Sequence, residues 1–269
     1  MFDEMRYSDY HDVIAWELRA AIKRYYETWE VIMEKEPSER EPWTTAIEQR
    51  RLTIVVLSSA LLECAINFYL CLKCSAARFK KIEADKRIGS LFGKCTEAPR
   101  EFRKSYVLPA TSDLAHDLRK LIDRRKAIVH PKPMLSIDGD NRHKGNEPMI
   151  ALNEHEFTGR CATFPFRMVE HLIGNEGDCA IEMHSMRICC GTVAHAFEAG
   201  QRRMEIHAKV PKAFLAEIME QGHDRETAFD CIFRMGSNPK IDESGHIVVW
   251  MGGQQFIRLK PLKHFEASA

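Results

Sequence analysis

The feature that most constrains the fold is an almost wholly apolar stretch of 21 residues, 52–72, with one glutamate, Glu63, near its middle. A helix of about 20 apolar residues is long enough to cross a bilayer. We expect no membrane span, because a carboxylate at the centre of one is costly, Asn67 follows one turn later, and no second apolar stretch is this long. A helix that is apolar on nearly all sides instead suits the buried centre of a helical bundle.

Helical periodicity elsewhere supplies packing partners for this central helix. Residues 10–34 predict a long amphipathic helix, which Pro37 and the charged run after it bring to an end. Another helix is expected to begin near Ser112, which with Asp113 can cap it, and a further one covers residues 175–201. The sequence therefore predicts several long helices packed around residues 52–72.

Three segments of the same region are less regular. Residues 75–95 are rich in lysine and arginine and are broken by glycines, so they form either a solvated face or a patch that contacts phosphate. Residues 138–146 are expected to be a polar loop, and residues 149–157 a short strand.

The character of the sequence changes after Arg203. Two short helices and then a β-hairpin are expected, over residues 212–221, 224–235 and 246–259. The predicted fold is therefore mainly α: a helical bundle over residues 1–204, followed by a small α+β appendage over residues 205–269.

Composition and short motifs exclude several classes of protein. The formal net charge is zero, so any surface for RNA must be a local patch. Nine cysteines in a chain whose first residues lack an apolar signal core are expected to be reduced thiols of a cytoplasmic protein.

Cys71 and Cys74 form a lone C-x-x-C, and there is no phosphate loop and no paired zinc signature. Neither a metal ion nor a cofactor is expected.

The strongest chemical signal lies at residues 121–131, where Arg124 and Arg125 precede His130 and Pro131 stops the helix. Histidine titrates near neutrality and can act as base or acid, and the planar guanidinium of arginine suits phosphate oxygens. Five residues of helix rotate by about 500°, or about 140° past a full turn, so Arg125 and His130 do not share one stripe. Pro131 biases His130 out of the helical conformation, and a site built across a two-fold axis would relax the geometric demand.

This stretch resembles the R-x(4–6)-H signature of HEPN domains, in which either Arg125 or Arg124 supplies the arginine and residues 127–131 form a common ending. Upstream, residues 57–67 resemble the second helix of the family, with its buried glutamate and asparagine. The resemblance covers residues 8–200. The residue after the arginine is typically small and polar in the family, and here it is Lys126 or Arg125.

The resemblance implies a HEPN-like bundle that usually forms a homodimer and, in active members, a metal-independent endoribonuclease site that joins two copies of the motif. It implies that His130 is the general acid or base, that Arg125 stabilises phosphate charge, and that Glu63 orients the arginine or shares proton transfer. Substrate contacts are expected from Arg124, Lys126 and Asn67. The expected partners are RNA, a second copy of the chain and an antitoxin or operon partner, as in a toxin or phage-defence effector.

Each of these residues also has a structural interpretation. His130 can simply finish a helix end, Arg125 can form a buried bridge with Glu63, and Asn67 can orient Glu63. Arg124 and Lys126 can be solvated. The alternative functions are a catalytically inactive HEPN-like module that binds a partner protein or a nucleotide, and a helical dimerisation scaffold.

Overall fold

The computed structural model describes residues 5–35, 37–130, 155–174, 181–209, 212–224, 227–228, 231–232, 235, 240–251 and 254–262. Its helices are α1 (Met5–Glu34), α2 (Glu41–Lys73), α3 (Ala76–Ala84), α4 (Leu91–Thr96), α5 (Asp113–Val129), α6 (His155–Ile173), α7 (His184–Lys209) and α8 (Lys212–Glu220). Short 3-10 helices cover Pro37–Glu39 and Ala98–Glu101, and the strands are β1 (Lys240–Ile241), β2 (Ile247–Met251) and β3 (Gln254–Leu259). The chain divides into two compact units, residues 1–198 and 199–269. The predicted fold class, mainly α with a small β-containing C-terminal part, is confirmed.

Helix α2 is the centre of the first unit. It packs against α1, α5 and α6, and its buried side chains lie on several sides of the helix, including Ile54, Val55, Leu61, Leu62, Ala65, Ile66, Tyr69 and Leu70. Among the described residues it is the one helix long and apolar enough to cross a membrane, over Thr45–Lys73, and 56% of its most apolar window is buried inside the fold. That burial is what the central helix of a bundle requires.

Helix α1 confirms the predicted amphipathic helix and begins earlier than expected, at Met5. One face is buried and includes Leu18, Ile22, Tyr25 and Tyr26. Three large side chains that fit the helical spacing nevertheless lie on the exposed side, namely Tyr10, Val13 and Trp16.

Helix α5 begins as predicted, because the Ser112 side chain caps it by accepting a hydrogen bond from the backbone N–H of Ala115 at 3.2 Å. The expected strand over residues 149–157 is wrong at its end, since residues 155–157 belong to α6; residues 149–154 and the polar loop at 138–146 lie outside the described residues. The buried side chains of helix α6 continue from Phe157 to Ile173, well past the expected strand. Packing against the rest of the bundle therefore favours a helix over a strand in this segment.

Helix α7 confirms most of the helix expected over residues 175–201. It begins later, at His184, and extends further, to Lys209, while residues 175–180 lie outside the described residues. Its buried side chains recur at helical spacing and include Met186, Cys190, Val193, Ala194 and Phe197.

The second unit contains a three-stranded antiparallel sheet in the order β1-β2-β3. The predicted hairpin is β2 and β3, which pair Ile247 with Leu259 and Val249 with Ile257, and a register shift follows Val249. Strand β1 was not predicted; it is two residues long, too short to give an alternating pattern. One face of the sheet shares a core with helical residues of this unit, including Ile218, Ala228, Cys231 and Met235.

Candidate functional site

The structure brings together two of the six predicted site residues. Glu63 lies on α2 and Arg125 on α5, and the packing of these helices places Glu63 Oε2 at 3.3 Å from Arg125 Nη1. The side chains are 38% and 40% exposed, so the pair is half-buried rather than fully buried. An arginine held in this way keeps part of its guanidinium open to solvent, where a phosphate oxygen can approach it.

His130 lies where α5 ends. Its backbone has φ −126° and ψ 67°, outside the helical region, and its N–H donates to the carbonyl oxygen of Lys126 at 2.9 Å. This confirms the expected effect of Pro131, which disfavours the helical conformation for the residue before it. The side chain is exposed, and among the described residues no hydrogen bond or ion pair joins it to Glu63 or Arg125.

Arg124 lies in the core, and the expectation that it is solvated is wrong. The residue is 7% exposed, and its guanidinium lies over the ring of Phe157 on α6, 4.8 Å from the ring centroid. A cation over an aromatic face is a favourable contact that sequence spacing cannot reveal. Lys126, two residues further on, is exposed as expected. Of the two arginines that match the motif, Arg125 is therefore the one open to a substrate.

Asn67 lies one turn after Glu63 but binds another residue. Its Oδ1 accepts a hydrogen bond from Lys94 Nζ at 2.9 Å, and the same ammonium lies 3.2 Å from Glu83 Oε1. Lys94 is 3% exposed, so this lysine belongs to neither a solvated face nor a phosphate patch. A buried ammonium needs such partners, and Asn67 has the structural role of providing one.

Asp117 is a buried charged residue that sequence reasoning missed. Its Oδ2 lies 2.8 Å from Arg167 Nη1 on α6, and its Oδ1 lies 3.8 Å from Arg160 Nε. The sequence feature that indicates its burial is helical spacing: Asp117 lies four residues before Leu121 and seven before Arg124, so all three lie on one stripe of α5. That stripe faces α6, whereas Arg125 lies on the side of α5 that faces α2.

His155, at the start of α6, was also not predicted to have a special environment. It packs in parallel on Tyr25, whose hydroxyl lies 2.6 Å from His155 Nδ1, and it contacts Trp29 and Phe197. Burial, with a smaller contribution from the Arg51 guanidinium, lowers the pKa of His155. A neutral imidazole can accept the tyrosine hydrogen bond, so the cluster stabilises the uncharged form.

Comparison with the models of known protein families, with curated proteins and with solved structures finds no match. The structure itself defines a mainly α protein with a central apolar helix. It has a half-exposed Glu63–Arg125 pair and an exposed His130 at a helix end.

Proposed function

We propose that the chain is a HEPN-type, metal-independent endoribonuclease of the cytoplasm, acting as the effector of a toxin or phage-defence system. The observation that supports this best is the environment of the motif. Arg125 and His130 are both accessible to solvent, and Arg125 is oriented by Glu63 on the neighbouring helix. A phosphate-binding cation and an imidazole that can take up and release a proton are two components that RNA cleavage requires.

In the proposed reaction, His130 takes the proton from a ribose 2′-hydroxyl as that oxygen attacks the adjacent phosphorus. The bond from phosphorus to the 5′-oxygen breaks, and the protonated His130 donates its proton to the leaving oxygen. The products are a 2′,3′-cyclic phosphate and a 5′-hydroxyl. Arg125 stabilises the negative charge that develops on the phosphate, and Lys126 contacts the RNA backbone.

A homodimer brings Arg125 of one copy towards His130 of the other. Residues five apart on a helix point about 140° away from each other, so one chain by itself does not direct both side chains at one phosphate. A two-fold axis near the end of α5 removes this difficulty, because a self-complementary interface presents each residue twice.

The direct test is cleavage of RNA by the purified full chain in the presence of EDTA. We expect cleavage to persist under chelation and to fall by about 10²-fold or more in His130→Ala, the usual contribution of a general acid or base. His116→Ala is the matched control, because His116 is an exposed histidine on the same helix, and we expect it to cleave normally. Cleavage that requires added metal, or that is unchanged in His130→Ala, would disprove the proposed mechanism.

A mixing experiment tests whether the site is shared between two chains. Arg125→Ala and His130→Ala proteins are inactive separately but form mixed dimers in which one of the two sites has both side chains. With random exchange, half of the dimers are mixed, so we expect about a quarter of the wild-type activity to return. If mass spectrometry shows that the subunits have exchanged but no activity returns, the arginine and histidine act within one chain or both histidines are required.

A second candidate function is a catalytically inactive HEPN-like module that binds a partner protein or a nucleotide. It is favoured by the charge balance of the motif, since Glu63 neutralises Arg125 and Arg124 is directed into the core. Under this alternative, no RNA is cleaved in the assay above, while the chain still elutes as a dimer and binds a nucleotide or a co-purified operon partner.

A further inference from the structure

A second group of chemically reactive side chains lies between α1 and α7. His11 and Asp12 are on α1, and Cys189 is on α7, 177 positions later. The Cys189 Sγ lies 2.7 Å from Asp12 Oδ1, and the same oxygen lies 3.5 Å from His11 Nε2. One nitrogen, one oxygen and one sulfur donor lie within 4.8 Å of one another.

His11 is buried without adequate hydrogen bonding. The residue is 3% exposed, and its ring lies against Phe68 of α2, with 6.4 Å between the ring centroids. The 3.5 Å from Nε2 to Asp12 exceeds the length of an ordinary N–H···O bond, and Nδ1 has no partner among the described residues. A buried polar ring is usually satisfied by a protein group, water or an ion, and Nε2 is the ring nitrogen that the structure places beside Asp12 Oδ1.

The other two side chains leave the group accessible. Asp12 is 68% exposed and Cys189 is half-buried, so an ion can reach the group from solvent. Tetrahedral Zn²⁺ takes imidazole, carboxylate and thiolate donors at about 2.0–2.3 Å, which separates neighbouring donor atoms by about 3.3–3.8 Å. The observed separations need only small side-chain rotations to meet this requirement.

We propose that His11, Asp12 and Cys189 form a Zn²⁺ site with three protein ligands and a fourth position open to water. Binding replaces the thiol proton of Cys189, which is released to solvent, and the hydrogen bond from Cys189 to Asp12 becomes two bonds to the metal. The ion ties α1 to α7 and therefore stabilises the first unit. None of the three residues belongs to the ribonuclease site proposed above, and that reaction requires no metal.

The test uses Co²⁺ as a spectroscopic probe and Zn²⁺ as a competitor, with the reduced, metal-free full chain. We expect one equivalent of Co²⁺ to give the visible bands of a tetrahedral ion and a thiolate charge-transfer band, both removed by Zn²⁺. Cys189→Ser should lose the charge-transfer band, and Asp12→Asn should bind at least about tenfold more weakly. Because Asp12 is exposed, its substitution leaves the fold intact.

Cys74→Ser is the matched control, because Cys74 is also a half-buried thiol but lies at the end of α2 and is not one of the proposed ligands. The Co²⁺ spectrum of this variant should be the same as that of the wild type. A second measurement is the melting temperature, which Zn²⁺ should raise in the wild type and in Cys74→Ser but not in Cys189→Ser. If Co²⁺ does not bind, or if the spectrum disappears in Cys74→Ser instead, the proposed site is wrong. RNA cleavage in EDTA is measured separately, so failure of one proposal leaves the other intact.

Discussion

Arg124 and Arg125 are adjacent in sequence but have opposite environments. Arg124 is 7% exposed and lies over Phe157, whereas the Arg125 side chain is 40% exposed and paired with Glu63. The two positions differ by about 100° around the helix, enough to direct one side chain at α6 and the other at α2. A substitution at each residue should therefore affect a different property of the protein.

Arg124→Ala is expected to lower the free energy of unfolding by about 1–3 kcal/mol, because it removes a buried cation from an aromatic face and leaves a cavity. Lys126→Ala, two residues away and exposed, should change it by less than about 0.5 kcal/mol. Urea denaturation measures both variants. Equal effects would contradict the burial of Arg124.

The Glu63–Arg125 pair is expected to contribute little to stability. A double-mutant cycle with Glu63→Gln and Arg125→Gln should give a coupling energy below about 1 kcal/mol, because solvent screens a pair exposed to this extent. If the proposed ribonuclease function holds, the same substitutions should lower cleavage by about tenfold or more while the urea midpoint hardly moves. A coupling of several kcal/mol would indicate a purely structural bridge.

At the scale of single elements, a capping signal in the sequence located the start of α5, whereas α1 begins earlier and α7 later than expected. Ser112 was expected to cap α5 and does so, and Ser75 and Ser90 cap α3 and α4 in the same way. A cap is a contact between residues three apart, so the sequence alone specifies it. The start of α6 was missed because residues 149–157 were expected to form a short strand, whereas Phe157 begins the buried face of the helix.

Ser112→Ala is expected to lower the free energy of unfolding by about 1 kcal/mol, since the backbone N–H of Ala115 loses its acceptor. Ser112→Gly should cost only a few tenths of a kcal/mol, because glycine is tolerated at this position. Ser105→Ala, an exposed serine in a turn, serves as the control and should be neutral. Thermal and urea unfolding would detect the difference.

At the scale of the whole molecule, His155 couples stability to pH. Its folded-state pKa is lowered, so the unfolded chain binds more protons below about pH 6.5, the ordinary value for histidine. The stability that it contributes is therefore complete above that pH and is lost as the pH falls towards the folded-state pKa. His171, whose pKa burial also lowers, contributes in the same direction.

We expect the free energy of unfolding to decrease between pH 7 and about pH 5, with a shallower slope in His155→Phe. Trp29→Phe is the control, because it removes a packing neighbour of His155 without removing a titrating group, and its slope should match the wild type. Urea denaturation at several pH values gives the slopes. A wild-type slope in His155→Phe would show that other groups carry the dependence.

The sequence by itself determined the class of fold. A 21-residue apolar helix without a second apolar partner must be covered by amphipathic helices, and two strand-like runs on either side of Gly252-Gly253 predict a hairpin. It also determined that α5 ends at His130, the residue before Pro131. These properties depend on residues close together in the chain.

Only the tertiary structure decided how side chains from distant positions meet. It paired Glu63 with Arg125 rather than with Asn67, buried Arg124 and Lys94, and placed His11 and Asp12 beside Cys189. Burial and ion pairing depend on the rotation and packing of whole helices, and a rotation of about 100° exchanges a core position for a surface one. Local periodicity does not fix that rotation for a helix with charged residues on several sides. The sequence therefore identifies the motif around His130 but does not show that Arg124 is buried and Arg125 is exposed.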